Sequence, residues 1–198
     1  MIVRPAATLA VHDRPFGSIV ARIGSRTPFG SPRALGVVRT EGGRWLGVSL
    51  PQLGNGRRLG WVDSQSAGLR YARTDVRLVV DLSARVLTLE RAGHIIRRMS
   101  VGVGRPGSST PTGRFAVTDK LNGSSYGRYY GCCILALSAT QPHLPRGWSG
   151  GNRIAIHGTP SASDFGRAVS AGCVHAADGD LRYLMRWVPL GTPVVIRP

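Results

Sequence analysis

From Val76 onward this 198-residue chain opens on a period of two. Val76, Leu78, Val80 and Leu82 alternate with Arg77, Val79 and Asp81, the pattern of a half-buried strand. Ser83-Ala84-Arg85 and Ala92-Gly93 break the run as turns, so residues 86–90 and 94–101 continue an antiparallel meander. Further on, Ile154-Ala155-Ile156 is a short apolar run ending at His157-Gly158 and reads as a buried strand. Residues 178–187 carry the one helical pattern. Leu181, Leu184 and Met185 recur at helical spacing, Asp178 stands where a capping residue belongs, and Pro189 and Gly191 close the segment.

Before residue 73 the texture differs. Apolar stretches such as SIVARI, RALGVVRT, RWLGVSL and LGWVD are punctuated by the turn signals FGSP, EGGR and LGNGRR, which predicts a small barrel of short strands over residues 1–72. Trp45 and Trp61 are expected in its core, because so small a barrel needs large apolar side chains. SAGLRYARTD then serves as a connection. The fold class is therefore mainly β, a small barrel followed over residues 73–198 by an antiparallel sandwich with one helix near the C-terminus.

Composition narrows this picture only in places. A hydrophobic fraction of 42% supports a packed core, and 27 glycines and 13 prolines favour turn-rich β-structure. No apolar run reaches the roughly twenty residues that span a bilayer. The start, MIVRPAATLAVHDRP, interrupts with Arg4 and Asp13 the apolar stretch that a signal peptide requires. The formal charge is +16, nearly all of it arginine, with Lys120 the only lysine. Such a charge attracts polyanions. Neither a basic helix, a zinc-finger spacing nor an aromatic RNA-binding motif accompanies it, so nucleic acid is not the expected partner.

The three cysteines are an odd number, which leaves at least one thiol unpaired. A bridge between the neighbours Cys132 and Cys133 would strain the backbone, and they are expected to pack as small apolar side chains. GRPGSSTPTGRF lacks the Gly-Lys-Ser/Thr of a phosphate-cradling loop and reads as a tight turn. Cys173 is different. It follows the small residues Ser170, Ala171 and Gly172, and a histidine ends an apolar strand sixteen residues earlier. A thiol beside an imidazole can transfer its proton and attack a carbonyl.

With His157-Gly158 followed by Ser170-x-Gly172-Cys173-Val174, the segment resembles the L,D-transpeptidase catalytic domain of bacterial cell-wall enzymes. The resemblance extends from about Thr74 to Pro198, through VRLVVDLSARVLTLERAGHIIRRMSVGVG, STPTGRF and DLRYLMRWVPLGTPVVI. It departs at Ala171, where histidine is common, and at His175, where arginine is usual. The first departure is tolerable because that position contributes mainly backbone; the second replaces a permanent charge by an imidazole.

What the resemblance implies is specific. Cys173 is the nucleophile and His157 its base, oriented through the Ser170 carbonyl. The N–H groups of Gly172 and Cys173 are the expected oxyanion donors. Gly158, Tyr130 and His175 are expected at the substrate, with a structural role for His175 left open. The segment from Leu121 to Pro145 would form a mobile cover over the cleft. The reaction would cut a peptidoglycan stem tetrapeptide after meso-diaminopimelate, release D-alanine and pass the acyl group to an amine of a neighbouring stem. An L,D-carboxypeptidase using water, and a basic wall-binding protein without catalysis, are the alternatives. No metal or organic cofactor is implied, and carbapenems would acylate Cys173. The partners are stem peptides and acidic wall polymers, for a monomer acting outside the cytoplasm with no export signal visible. The N-terminal barrel resembles the bacterial Src-homology-3-like domain, through Trp45 and Gly60-Trp61-Val62, and would be a wall-targeting module.

Overall fold

The computed structural model describes residues 1–55, 58–148 and 151–198. Gly56 and Arg57 of the LGNGRR turn lie outside the described residues. The first sheet comprises β1 (Ile2–Pro5), β2 (Leu9–His12), β3 (Ile19–Ile23), β4 (Leu35–Glu41), β5 (Trp45–Val48), β6 (Gly60–Asp63) and β7 (Leu69–Ala72). Its pairings are antiparallel, in the order β3-β2-β6-β5-β4-β1-β7. The edge strands β3 and β7 do not pair with each other, so hydrogen bonding leaves the sheet open. Val3, Val11, Leu46, Val48 and Val62 fill its core, and Trp45 and Trp61 are buried as the sequence suggested.

The rest of the chain forms β8 (Val76–Asp81), β9 (Val86–Arg91), β10 (His94–Ser100), β11 (Val103–Gly104), β12 (Gly113–Asn122), β13 (Cys133–Thr140), β14 (Arg153–His157), β15 (Ala168–Ser170), β16 (Val174–His175), α1 (Asp178–Trp187) and β17 (Pro193–Arg197). Eight of these strands make one sheet in the order β10-β9-β8-β17-β12-β13-β14-β16, with β11 and β15 as a separate pair. The meander β8-β9-β10 is antiparallel as expected. The whole is mixed rather than antiparallel, because β17 runs parallel to β8 and β16 parallel to β14. Alternation marks a strand locally but carries no information about a partner a hundred residues away. Leu181 and Leu184 of α1 are completely buried against this sheet. Ala177 occupies the N-cap without a side-chain bond, and Asp178 instead accepts a bond from the Cys132 N–H at 3.1 Å.

Two further expectations are corrected. Residues 121–145 are mostly not a cover: β13 runs through them as an interior strand of the sheet with seven of its eight residues buried, since CILALSA is apolar except for Ser138, whose hydroxyl is hydrogen-bonded. Among residues 121–145, only the short 3₁₀ turn at Arg128–Tyr130 and the loop after Thr140 line the cleft, through Tyr129, Tyr130, Gln141 and Leu144. Cys132 and Cys133 are joined in a vicinal disulfide at the start of β13, not merely packed. Cys133 faces the core while Cys132 sits against α1, where its sulfur lies 3.6 Å from the Asp178 carbonyl oxygen.

A close seam joins the two sheets. Thr27 Oγ1 donates to the buried Asp119 carboxylate, Ser138 bonds Ser49 at 3.1 Å, and Asn55 Oδ1 accepts from the N–H of Thr140. At Gly36 the backbones meet: a Cβ there would stand 2.8 Å from the Gly191 carbonyl oxygen and 2.9 Å from Ala116 Cβ. Gly36→Ala is therefore expected to destabilise the fold by about 1–3 kcal/mol through overpacking, with a lowered midpoint in urea and an unchanged slope; an unaltered midpoint would show that the seam yields.

Candidate active site

The site is built on the parallel pairing of β14 and β16. Ile156 stands in register with Val174 and His157 with His175, so that residues far apart in sequence share one face at the sheet edge. Cys173, two residues before His175, projects to the same side in extended backbone. His157, His175, Cys173, Tyr129 and Tyr130 all line one cleft of about 70 Å³, which the loop after β13 walls with Leu144 and Trp148. The His157 and His175 rings lie 4.8 Å apart, and Tyr130 tilts against His157 at 4.9 Å.

His157 is almost completely buried, 2% exposed. Its Nδ1–H donates to the carbonyl oxygen of Gly158 at 2.6 Å, which fixes the tautomer and leaves Nε2 as the acceptor. Burial, and then the neighbouring His175, lower the ring to about 4, partly opposed by the Gly158 bond. Cys173, partly exposed to the cleft, is the one free cysteine. Loss of water pushes its thiol up to about 11, against the pull of the Ala155 N–H. Its Sγ also lies 3.9 Å from the Arg153 carbonyl oxygen. At neutral pH the pair thus rests as thiol and neutral imidazole.

Several predicted roles change in detail. The Ser170 carbonyl accepts from the Arg105 N–H and does not orient the base; the Gly158 carbonyl does, because it immediately follows the ring. Ser170 acts through its hydroxyl, which accepts from the Gly172 N–H at 3.0 Å and donates to the Cys173 carbonyl at 2.6 Å. The Gly172 N–H is therefore occupied and is not a free oxyanion donor. The Cys173 N–H has no intramolecular partner among the described residues and keeps that capacity. Gly158 uses its carbonyl on His157 and its N–H on the Tyr130 carbonyl, so its polar backbone positions the site and does not face substrate.

His175 is 2% exposed and its Nδ1–H donates to Asp164 at 2.7 Å, while Thr159 holds the same carboxylate oxygen at 2.6 Å. Asp164 is kept below the usual carboxylate range because these donors outweigh its burial. Nothing in TPSASD marked Asp164 in the sequence. Gln141 was missed too. Its buried amide nitrogen donates to the carbonyls of Ser108, Ser109 and Ala171 at 3.0–3.1 Å, and its oxygen accepts from the His143 N–H. One side chain thereby ties the STPTG turn, the loop after β13 and the nucleophile loop. Gly172 has to be glycine here, since its φ is +124° and a Cβ would strike the Gln141 amide. A polar residue after an apolar strand gave no signal of this.

A family model described as the L,D-transpeptidase catalytic domain, YkuD, matches residues 75–196. The chain belongs to this family. Two relatives named as the L,D-transpeptidase YkuD are similar to it: a Bacillus licheniformis protein, 31% identical over 124 residues, and a Bacillus subtilis one, 30% identical over 121. These matches cover 62% and 60% of this chain and 66% and 64% of the relatives, just under two thirds of their length. Among solved structures, an L,D-transpeptidase from Mycobacterium smegmatis aligns over 99% of this chain and 97% of its own, at a TM-score of 0.56 and 17% identity. L,D-transpeptidase 3 from Mycobacterium tuberculosis, solved with a faropenem-derived adduct, aligns over 83% and 93% at a TM-score of 0.53 and 16% identity. At those identities the likeness is one of fold.

Two outcomes follow from this geometry. Because the His157 ring is lowered from 6.5 to about 4, the folded chain loses stability as pH falls from 6.5 through 4, by about 3 kcal/mol at 1.36 kcal/mol per unit. Thiol acylation should show no break near 6.5 and decline only toward pH 4; His157→Gln should remove this ring's share of the acid-side stability loss. Gln141→Met leaves three buried carbonyls without their donor. The expected result is a fall of roughly ten- to a hundredfold in kcat with little change in KM, as for a displaced nucleophile.

Proposed function

We propose that the protein is a peptidoglycan L,D-transpeptidase, and the observation that carries the reading is a partly exposed thiol sharing one cleft with a neutral, tautomer-fixed imidazole. In the first half-reaction Cys173 Sγ forms a bond to the carbonyl carbon of the third residue of a stem tetrapeptide, meso-diaminopimelate. His157 Nε2 takes the thiol proton as the bond forms. The tetrahedral oxygen is met by the Cys173 N–H, a donor of the kind worth about 3 kcal/mol. Collapse breaks the peptide C–N bond, and His157 returns the proton to the departing D-alanine amine. In the second half-reaction an amine of a neighbouring stem loses a proton to His157, attacks the thioester and releases the thiol.

Starting from neutral partners has a consequence. The proton must move with the attack, because the lowered imidazole and raised thiol disfavour a standing ion pair. Tyr130 and His175 wall the reacting pair, and Asp164 fixes the second imidazole through its Nδ1–H, which leaves Nε2 as an acceptor for a substrate hydroxyl or N–H. We assign residues 1–72 to a Src-homology-3-like module and 73–198 to the catalytic domain. The seven short strands and buried Trp45 and Trp61 support that division, and the enzyme is read as acting outside the cytoplasm, where its substrate is.

Mass spectrometry of the chain with a disaccharide tetrapeptide tests this. An adduct on Cys173 with loss of D-alanine, absent from Cys173→Ala, is expected, followed by a cross-linked dimer when an acceptor stem is added. Tripeptide alone would instead make water the acceptor. Stoichiometric labelling of Cys173→Ala by a carbapenem would contradict the assignment of the nucleophile.

A further inference from the structure

Away from the cleft, the first sheet carries a concavity of about 320 Å³ lined by four arginines, Arg4, Arg26, Arg33 and Arg70, with Pro5 and Pro32 among its walls and no carboxylate. Arg4 on β1 and Arg70 on β7 are register partners in antiparallel strands, so their side chains leave the same face directly opposite each other. Like charges in that position repel, and a sheet edge ordinarily avoids them. Residues 1–72 contain three acids, Asp13, Glu41 and Asp63. Each is ion-paired elsewhere, with Arg14, Arg39 and Arg44. Arg33 is anchored by bonds to the carbonyls of Gly24 and Arg26, and Arg26 by a bond to that of Gly30. Two guanidinium groups are thus pinned on the loop side of the cavity, Arg33 within the field of Asp119 from the second sheet, while Arg4 and Arg70 on the strands have no ion-pair partner among the described residues.

We propose that this cavity is an anion site that takes the phosphodiester groups of an anionic wall polymer. The choice of a wall polymer rests on the catalytic reading above; the anion site itself does not. Planar guanidinium forks match phosphate oxygens bidentately, and four of them suit a repeating anion better than one isolated carboxylate. No aromatic side chain lines the cavity, so the stacking platform that single-stranded nucleic acid uses is missing. The site would hold the enzyme along a charged polymer while the cleft, on the other sheet, processes stem peptides.

The test is calorimetric titration of the full chain with inorganic pyrophosphate and then with poly(glycerol phosphate), at several salt concentrations. Arg4→Gln/Arg70→Gln should weaken both by at least tenfold and make the salt dependence shallower, by about one to two in the log–log slope. The double variant should melt no lower than the parent, since it relieves a repulsive pair; Arg70→Gln alone, on an edge strand, serves if the double does not fold. Arg98→Gln/Arg114→Gln, which removes equal charge from the second sheet, should leave affinity unchanged. Equal losses in the two doubles, or no binding by the parent, would overturn the site. A DNA oligomer of matched charge binding as tightly as the polymer would overturn the wall assignment. Cys173 acylation, followed on the same preparations, should stay at the parental rate; its absence with anion binding intact would count against the catalytic reading alone.

Discussion

The parallel pairing of β14 with β16 is the constraint on which the site depends. Two strands of five and two residues bring His157 beside His175 and set Cys173 at the entry to the second strand. Parallel neighbours need a crossover; here it is residues 158–173, whose 3₁₀ turn at Ala162–Asp164 and short strand β15 also deliver Asp164 to His175. The connection that permits the pairing therefore supplies part of the site. β14 in turn is held by β13, seven of whose eight residues are buried, so His157 rests on the interior of the sheet.

Around that pairing, polar groups are used to fix loops. Gly158, Ser170 and Gln141 each satisfy backbone groups that would otherwise lie buried without partners, and each satisfaction also restricts where the thiol or ring can go. The dry surroundings hold both partners neutral at rest, the imidazole unprotonated and the thiol protonated, so that proton transfer is favoured only as the sulfur bonds to substrate. A solvated pair would sit closer to the ordinary values, with the ring partly protonated near neutrality and a resting ion pair less costly to form.

The first sheet is not a passive attachment. Its Phe29 ring lies under the Arg153 guanidinium at 5.7 Å, and Arg153 begins β14 and offers its carbonyl to the thiol. Burial lowers the Arg153 guanidinium, with Asp119 pulling it back up, which places the charged seam between the sheets within one residue's reach of the nucleophile. The vicinal disulfide lies on the opposite flank, where Asp178 joins Cys132 to the start of α1.

By itself the sequence determined the strands whose alternation is local, the one α-helix among the described residues, the burial of Trp45 and Trp61, and the candidates His157 and Cys173 for base and thiol. Those features are written in neighbouring residues: period, turn chemistry, and a small-residue approach to a cysteine. Tertiary structure decided which strands run parallel, which carbonyl holds the ring, that the Gly172 N–H is taken, and that Asp164 and Gln141 belong to the site. It also decided that Cys132 and Cys133 are bonded and that Arg4 faces Arg70. Each of these is set by the register of strands or loops separated by tens of residues, and spacing along the chain does not encode register.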